Sequence, residues 1–298
     1  MKIQNLKYSF FPIGASLAFV IFSIALKYLA GLGFNSLFIC LFYGLFSTAI
    51  MFTIKYLQEK NLTFLKINRR EFLLSFVVTG IMGIFIVDLM ISESLKFIQI
   101  GIQRLITNSS PLINVVLLYL FIRKKPTKWD ILSSISVMIG LLLVIGKINI
   151  NNGTSFITGC IYAFISMVAL AVYSTALDVA PTKLDDYTFW FYAYLGFTIA
   201  SFVIMLFNTN QFNNVFLLTP YNIFALCFTA LLGFTFATFL FVKSFKHFGV
   251  VNTSIIVASS PIISIILDAF LYGQTMNKLQ LLGTILVLAP AFISIKKE

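Results

Sequence analysis

The chain has 298 residues, of which 59% are hydrophobic and only 10% charged, with a formal net charge of +11. An ordinary soluble domain carries about 25% charged residues, so the composition excludes a soluble globular fold and makes the bilayer the solvent. The single histidine, His247, excludes a mechanism needing several imidazoles, and Cys40, Cys160 and Cys227, each inside an apolar run, offer neither metal spacing nor a disulfide framework.

A spanning helix needs roughly 20 apolar residues. The sequence predicts ten such spans, over 10–29, 34–54, 72–92, 98–122, 130–147, 155–177, 187–207, 220–242, 249–272 and 277–295. The first run is already of spanning length, so no cleavable signal peptide is expected. Span 1 lines up Ser16, Ser23 and Lys27 on one face, and Gly31-Leu32-Gly33 supplies the following turn. Span 3 carries Asp88. In span 4, Gly101, Arg104, Asn108 and Pro111 follow helical spacing and share a face, with Gln103 and Thr107 alongside. Asn151-Asn152-Gly153 turns the chain into span 6, where Tyr162, Ser166 and Tyr173 share a face. Asp185-Asp186, beside Lys183, reads as a solvated turn. Trp190, Tyr192 and Tyr194 at the start of span 7 read as an interfacial aromatic belt. Span 9 opens with Asn252, Thr253 and Ser254 and continues through Pro261 and Ser264 to Asp268.

Residues 81–128 and 231–278 overlay without a gap at an offset of 150. Gly83 falls on Gly233, Ser94 on Ser244, Lys96 on Lys246, Ser109-Ser110-Pro111 on Ser259-Ser260-Pro261 and Lys128 on Lys278. The chain therefore reads as one all-α membrane domain of two five-helix repeats, 1–149 and 150–298. With the N-terminus inside, cytoplasmic segments hold Lys2, Lys7, Lys55, Lys60, Lys66, Arg69, Arg70, Arg123, Lys124, Lys125, Lys128, Lys183, Lys243, Lys246, Lys296 and Lys297. Only Lys27, Lys96, Lys147 and Lys278 remain outside, and Arg104 lies within a span. The positive-inside rule then places both termini in the cytoplasm. It also accounts for the basic charge without a nucleic-acid partner. Five spans per half make the halves inverted, a recurring architecture of secondary transporters.

An ionisable side chain at membrane depth costs roughly 2.5–3.5 kcal/mol on insertion scales, so each implies a partner or a role. Lys27, Asp88, Arg104 and Asp268 fall at one level in the outer third of their spans. Two acids and two bases there can form a structural salt-bridge layer, with Lys27 snorkelling outward. They can equally form a substrate site or an outer gate, and a buried Asp88 or Asp268 could carry a coupling proton. Pro111 and Pro261, at repeat-equivalent positions, read as paired hinges.

Ten spans in two halves, with Ser94-Leu95-Lys96 to Pro111 matched by Ser244-Phe245-Lys246 to Pro261, and with Gly140 and Gly283 in the closing spans, resemble the drug/metabolite transporter superfamily. The nearest branch is that of the EamA-type permeases. The resemblance implies a cavity surrounded by spans 3, 4, 8 and 9 with parts of 1 and 6, while spans 5 and 10 pack to one side. Two departures stand out. Relatives often carry a Gly-Glu pair where this chain has Ile122-Arg123 and Gly273-Gln274, and an Arg in span 2 where it has Cys40-Leu41-Phe42-Tyr43.

The function expected is a secondary carrier in the cytoplasmic membrane, with Asp88, Gln103, Arg104, Asn108, Tyr173 and Asp268 binding or gating. Opposite charges near the cavity suit a zwitterion, such as an amino acid or a compound resembling S-adenosylmethionine, which some members resembling this chain take up. No cofactor or metal is expected. Partners are a small molecule and the lipid bilayer; monomer and homodimer remain alternatives. A membrane enzyme is the alternative class, but there is no H-E-x-x-H and no close acidic pair within the spans. A channel or sensor lacks a charge ring or filter repeat.

Overall fold

The computed structural model describes residues 10–61, 66–123, 125–145, 153–179, 183–207, 209–258 and 278–297, together with Tyr8, Ser260 and Ile263. The described residues contain no strand. With no water in the hydrocarbon core, a spanning segment must satisfy its backbone internally, and this chain does so with helices. They are α1 (Phe10–Gly31), α2 (Ser36–Glu59), α3 (Arg69–Ser94), α4 (Ile100–Thr107), α5 (Ser110–Ile122), α6 (Lys128–Ile145), α7 (Gly153–Val179), α8 (Asp186–Leu206), α9 (Pro220–Phe245), α10 (His247–Val257) and α11 (Lys278–Lys297). Six of these, α1, α2, α3, α7, α8 and α9, are long and apolar enough to cross a membrane.

Local chemistry sets the boundaries. Thr219 caps α9 by accepting from the Asn222 amide, and Pro220 fills the first helical position, where no amide donor is needed. Helix α2 ends at Lys60 in the left-handed conformation, its amide bonded to the Tyr56 carbonyl. Gly249, at φ 67° and ψ 169°, interrupts the helical path just inside the start of α10, a backbone conformation natural to glycine. Subtracting 150 from Gly249 gives Gln99, the extended residue that separates α3 from α4. The two halves break at equivalent places.

Span 4 is not the continuous helix expected. It divides at Asn108 and Ser109, whose ψ angles near zero close one turn before a second helix starts at Ser110. Pro111 therefore stands in the first turn of α5, where its missing donor leaves no bond unmade, rather than kinking a helix from within. Pro261, Ser264 and Asp268 lie outside the described residues.

Helix pairing follows the repeat. Helix α2 packs on α8 and α6 on α11, each pair being equivalents of one another. Helix α1 packs on α9 as α7 packs on α3. Residues 150 apart meet at the self-paired contacts: Thr48 Oγ1 and Thr198 Oγ1 are 3.1 Å apart, and Ser136 Oγ donates to the Leu286 carbonyl at 2.9 Å. Equivalent residues touch only where an axis relating the copies passes, so these pairs mark its course. In the exchanged contacts, glycine allows close approach. A Cβ on Gly83 would fall 2.7 Å from the Tyr173 ring, and one on Gly233 would fall 2.9 Å from Phe22.

Helices α3 and α9 also share an irregularity. Leu73–Phe85 and Thr229–Phe236 are π-helical, wound with bonds five residues apart. Thr79 and Thr235 reinforce the wide turns by donating to the Leu74 and Ala230 carbonyls, each five residues back. The wide turns end just before Asp88 in α3 and Thr238 in α9, and both residues line the central cavity.

The aromatic residues of span 7 correct a sequence expectation. Trp190, Tyr192 and Tyr194 are 2%, 6% and 0% exposed, packed in the core with Phe234 and Phe197 rather than forming an interfacial belt. Position in a span gives depth, whereas the facing helix decides whether a side chain meets lipid or protein. The tight α2–α8 and α3–α8 contacts decide it here.

Asp185 is likewise more than a solvated turn. It caps α8 by accepting from the Tyr187 and Thr188 amides and the Thr188 hydroxyl, and it pairs with Lys55 Nζ at 2.8 Å. Burial works to raise its carboxyl pKa, but the bonds from Lys55 and Thr188 outweigh that and hold it below the usual carboxylate value. Lys55 also reaches Glu59 at 2.6 Å, and the Lys183 amide donates to Glu71 at 3.2 Å. At the far ends of these helices the ties are neutral: Asn214 accepts from the Asn35 amide at 2.7 Å and donates to the Gly33 carbonyl at 3.4 Å.

Candidate functional site

A central cavity, partly open, lies between the helices. Residues before 150 contribute Phe19 and Phe22 from α1, Asp88 from α3, Arg104 and Thr107 from α4, and Asn108 and Ser110 around the helix break. The later half contributes Leu170 and Tyr173 from α7, Thr238 and Phe241 from α9, and Ser254 and Val257 from α10. Both halves thus wall one space. Its surface combines one acid, one base, several hydroxyls and four aromatic rings.

Arg104 is 3% exposed. It donates from Nε to Ser23 Oγ at 2.7 Å and from Nη2 to the Phe19 carbonyl, and its guanidinium lies 5.4 Å from the centre of the Phe19 ring. These contacts hold the plane of the guanidinium through neutral groups on α1. Asp88 is buried and lines the same cavity; it makes no direct salt bridge to Arg104, but the two side chains are near enough for their charges to act on each other. Lys27 is exposed in a surface groove beside Tyr28 and Ile100, and Asp268 lies outside the described residues.

The polar stripe of span 4 is connected to the second half by hydrogen bonds. Gln103 Nε2 donates to Thr107 Oγ1 at 2.7 Å, and Thr107 lies 3.1 Å from Ser166 Oγ in α7. Asn108 Nδ2 donates to Ser260 Oγ at 2.6 Å. Gln103 is fully buried, its Oε1 has no hydrogen-bond partner, and it does not line the cavity. Of the sequence-expected residues, Asp88, Arg104, Asn108 and Tyr173 thus line one cavity, with Gln103 one contact behind.

Comparison with known proteins identifies the scaffold. The profile of the EamA-like transporter family matches the chain twice, over residues 6–146 and 157–295. The chain belongs to this family. A protein of Bacillus subtilis (strain 168) described as an uncharacterized transporter, YyaM, is 26% identical over 237 residues, covering 75% of this chain and 73% of its own. A solved crystal structure with 14% identity superposes at a TM-score of 0.70 over 97% of this chain and 95% of that one, a likeness of fold alone. The EamA-like chain described here is thus a multi-pass membrane protein of a transporter family.

Sequence reasoning missed Asn114, which is fully buried and central to a second polar cluster. The signal was present. The face carrying Gly101, Arg104, Asn108 and Pro111 reaches Asn114 with one further step of three residues. Thr238 and Phe241 were also missed, because a lone hydroxyl or phenyl ring in an apolar run carries no sign of which way it faces.

Proposed function

We propose that the protein is a secondary transporter that moves a small zwitterionic metabolite across the cytoplasmic membrane by alternating access between its two halves. The observation that carries this reading is the central cavity, shared by both halves, in which Arg104 and Asp88 are buried without pairing to each other. Burying unlike charges apart is costly unless a ligand completes them. A carboxylate on Arg104 and an ammonium on Asp88 would do so. The rings of Phe19, Phe22, Tyr173 and Phe241 suit an apolar or heteroaromatic remainder, as an amino acid or an S-adenosylmethionine-like compound would present.

In this reading ten spans form two inverted repeats, 1–149 and 150–298, with both termini cytoplasmic. The pairs Thr48–Thr198 and Ser136–Leu286 support the two-repeat part of this reading, since they join equivalent residues. Asp268, the equivalent of Leu118 in the first half, contributes a second acid to the site. The helix break at Asn108 and Ser109, with Pro111 behind it, is the hinge of the first half, and Pro261 serves the second.

Counterflow into proteoliposomes tests the proposal. Vesicles loaded with unlabelled amino acids, S-adenosylmethionine, nucleosides or organic anions are diluted into the labelled compound. Saturable accumulation of a zwitterion without formation of product is the expected result. Accumulation restricted to organic anions, or conversion of the solute, would overturn it.

A further inference from the structure

A second cavity lies among Lys125, Asp130, Asp178, His247, Gly249 and Asn252 and the residues packed around them. Three helices line both cavities, and each runs from one to the other in a few residues. On α5, Ser110 faces the central cavity, while Val115 and Leu118 face this polar vestibule. On α7, Leu170 and Tyr173 face the central cavity and Asp178 the vestibule. On α10 the order is reversed along the chain: Val250, Val251 and Asn252 face the vestibule, Ser254 and Val257 the central cavity.

One hydrogen-bonded node occupies the boundary on all three. Asn114 Nδ2 donates to Ser254 Oγ at 2.9 Å, and Asn114 Oδ1 accepts from Ser174 Oγ and Thr175 Oγ1, each at 3.3 Å. Asn114 and Ser174 are fully buried, and Thr175 and Ser254 are nearly so. At 1.5 Å rise per residue, Ser110 and Val115 are only about 7.5 Å apart along α5, so the node is less than two turns of helix thick.

We propose that Asn114, with Ser174, Thr175 and Ser254, is the gate between the central cavity and the vestibule, and that it passes solutes able to take over its hydrogen bonds. The reading of the central cavity as a transport site underlies the word solute. The barrier itself follows from the two cavities and the node between them. A neutral gate suits repeated opening. Interhelical hydrogen bonds in a bilayer are individually weak, and a polar solute replaces each one it breaks. An apolar solute would leave the Asn114 amide buried and unpartnered, which the low dielectric penalises. The two long bonds to Oδ1 are the ones set to part first.

The test uses the full chain with Cys40, Cys160 and Cys227 replaced by serine and a single reporter, Thr238→Cys, in the central cavity. Its reaction with a membrane-impermeant thiosulfonate is timed in inside-out and right-side-out vesicles. Asn114→Ala should raise labelling from the vestibule end about tenfold, as expected for losing several interhelical bonds, and leave the opposite end unchanged. Ser174→Ala with Thr175→Val, which keeps the Asn114–Ser254 bond, should give a smaller increase and serves if Asn114→Ala does not fold. Labelling unchanged in folded variants overturns the gate, even where counterflow persists. Labelling raised in a protein that exchanges no solute supports the gate and removes the transport reading instead.

Discussion

Arg104→Met separates what the guanidinium does for the fold from what it does for a ligand. Methionine keeps a long apolar stem and removes the charge. The replacement loses the bonds to Ser23 Oγ and the Phe19 carbonyl and the stacking on the Phe19 ring. Bonds from a charged group contribute about 1.5–3 kcal/mol each, and a cation over a ring roughly 0.5–2 kcal/mol. Against these losses, removing a charge from membrane depth returns about 2.5–3.5 kcal/mol on insertion scales. The losses exceed the return, so the unliganded protein should be destabilised by about 1–5 kcal/mol, within the stability of an ordinary domain. Substrate binding has no such offset. A carboxylate losing its charge-assisted partner loses about 2–3 kcal/mol, or roughly 30- to 150-fold in affinity. Calorimetric titration of the ligand found by counterflow would read this directly, and Arg104→Lys should recover only part of it because the fork is gone. Affinity within about threefold of the original in a folded Arg104→Met protein would refute the substrate role and leave Arg104 as a strut between α1 and α4.

Other expectations follow from the same geometry. Gly83→Ala places a methyl group 2.7 Å from the Tyr173 ring, so thermal unfolding should come earlier by about 1–3 kcal/mol of overpacking, with substrate affinity falling too. Gly249→Ala meets no neighbour within 4 Å but keeps φ 67° with ψ 169°, a region essentially restricted to glycine, so it should be destabilised by about 1–3 kcal/mol from backbone strain, read from its melting curve. Asp185 has its carboxyl pKa held down, so its contribution is present above the unfolded carboxylate value near 4 and fades as pH falls through the lower folded value. An acid titration of thermal stability should therefore be shallower in Asp185→Asn than in the parent. A parent and variant with parallel acid limbs would contradict that. Because the Lys55–Asp185 pair is about half exposed on the acid side, salt should weaken it.

What could be read in the sequence and what could not divide along physical lines. The offset of 150 was legible because glycine, proline and charged residues survive in apolar spans only at positions that demand them, and those positions recur. The same offset then reappears as contacts, Thr48 on Thr198 and Ser136 on Leu286. Arg104 and Asp88 were legible as site residues because a charge inside a span advertises itself. Their lack of pairing was not, since depth along a span says nothing about the direction a side chain takes around it. The same loss of angular information turned Trp190 and Tyr194 into a supposed surface belt. The π-helical turns of Leu73–Phe85 and Thr229–Phe236 left no trace in composition, because their cause is packing. Asn114 had a trace, one step beyond Pro111 on the polar face, and the stripe was cut short at the proline that in fact begins α5.

The kind of contact around the cavity bears on how such a fold could move. Where the halves meet near the centre, the described bonds are neutral: Ser47 with Thr235, Thr107 with Ser166, Asn108 with Ser260, and Asn114 with Ser254. Such bonds contribute about 0.6 kcal/mol on average in a membrane protein, because the alternative state finds partners of its own. A set of them can exchange as two helix groups rock, with little net change in energy. The ionic tie of Lys55 to Asp185 stands apart from this set, at the ends of α2 and α8, the two helices joined across the self-paired contact at Thr48 and Thr198. Strong, water-exposed fastening there and weak, exchangeable fastening along the cavity is the distribution that lets α2 and α8 act as a fixed frame while the cavity helices change partners. Moving the strong contact inward should therefore arrest exchange without unfolding the protein. Ser47→Lys with Thr235→Asp, which places an ion pair at a buried crossing that a neutral bond now holds at 2.7 Å, should abolish counterflow while retaining ligand binding in one orientation. Undiminished counterflow by that folded double variant would show that the α2–α9 contact belongs to the frame as well.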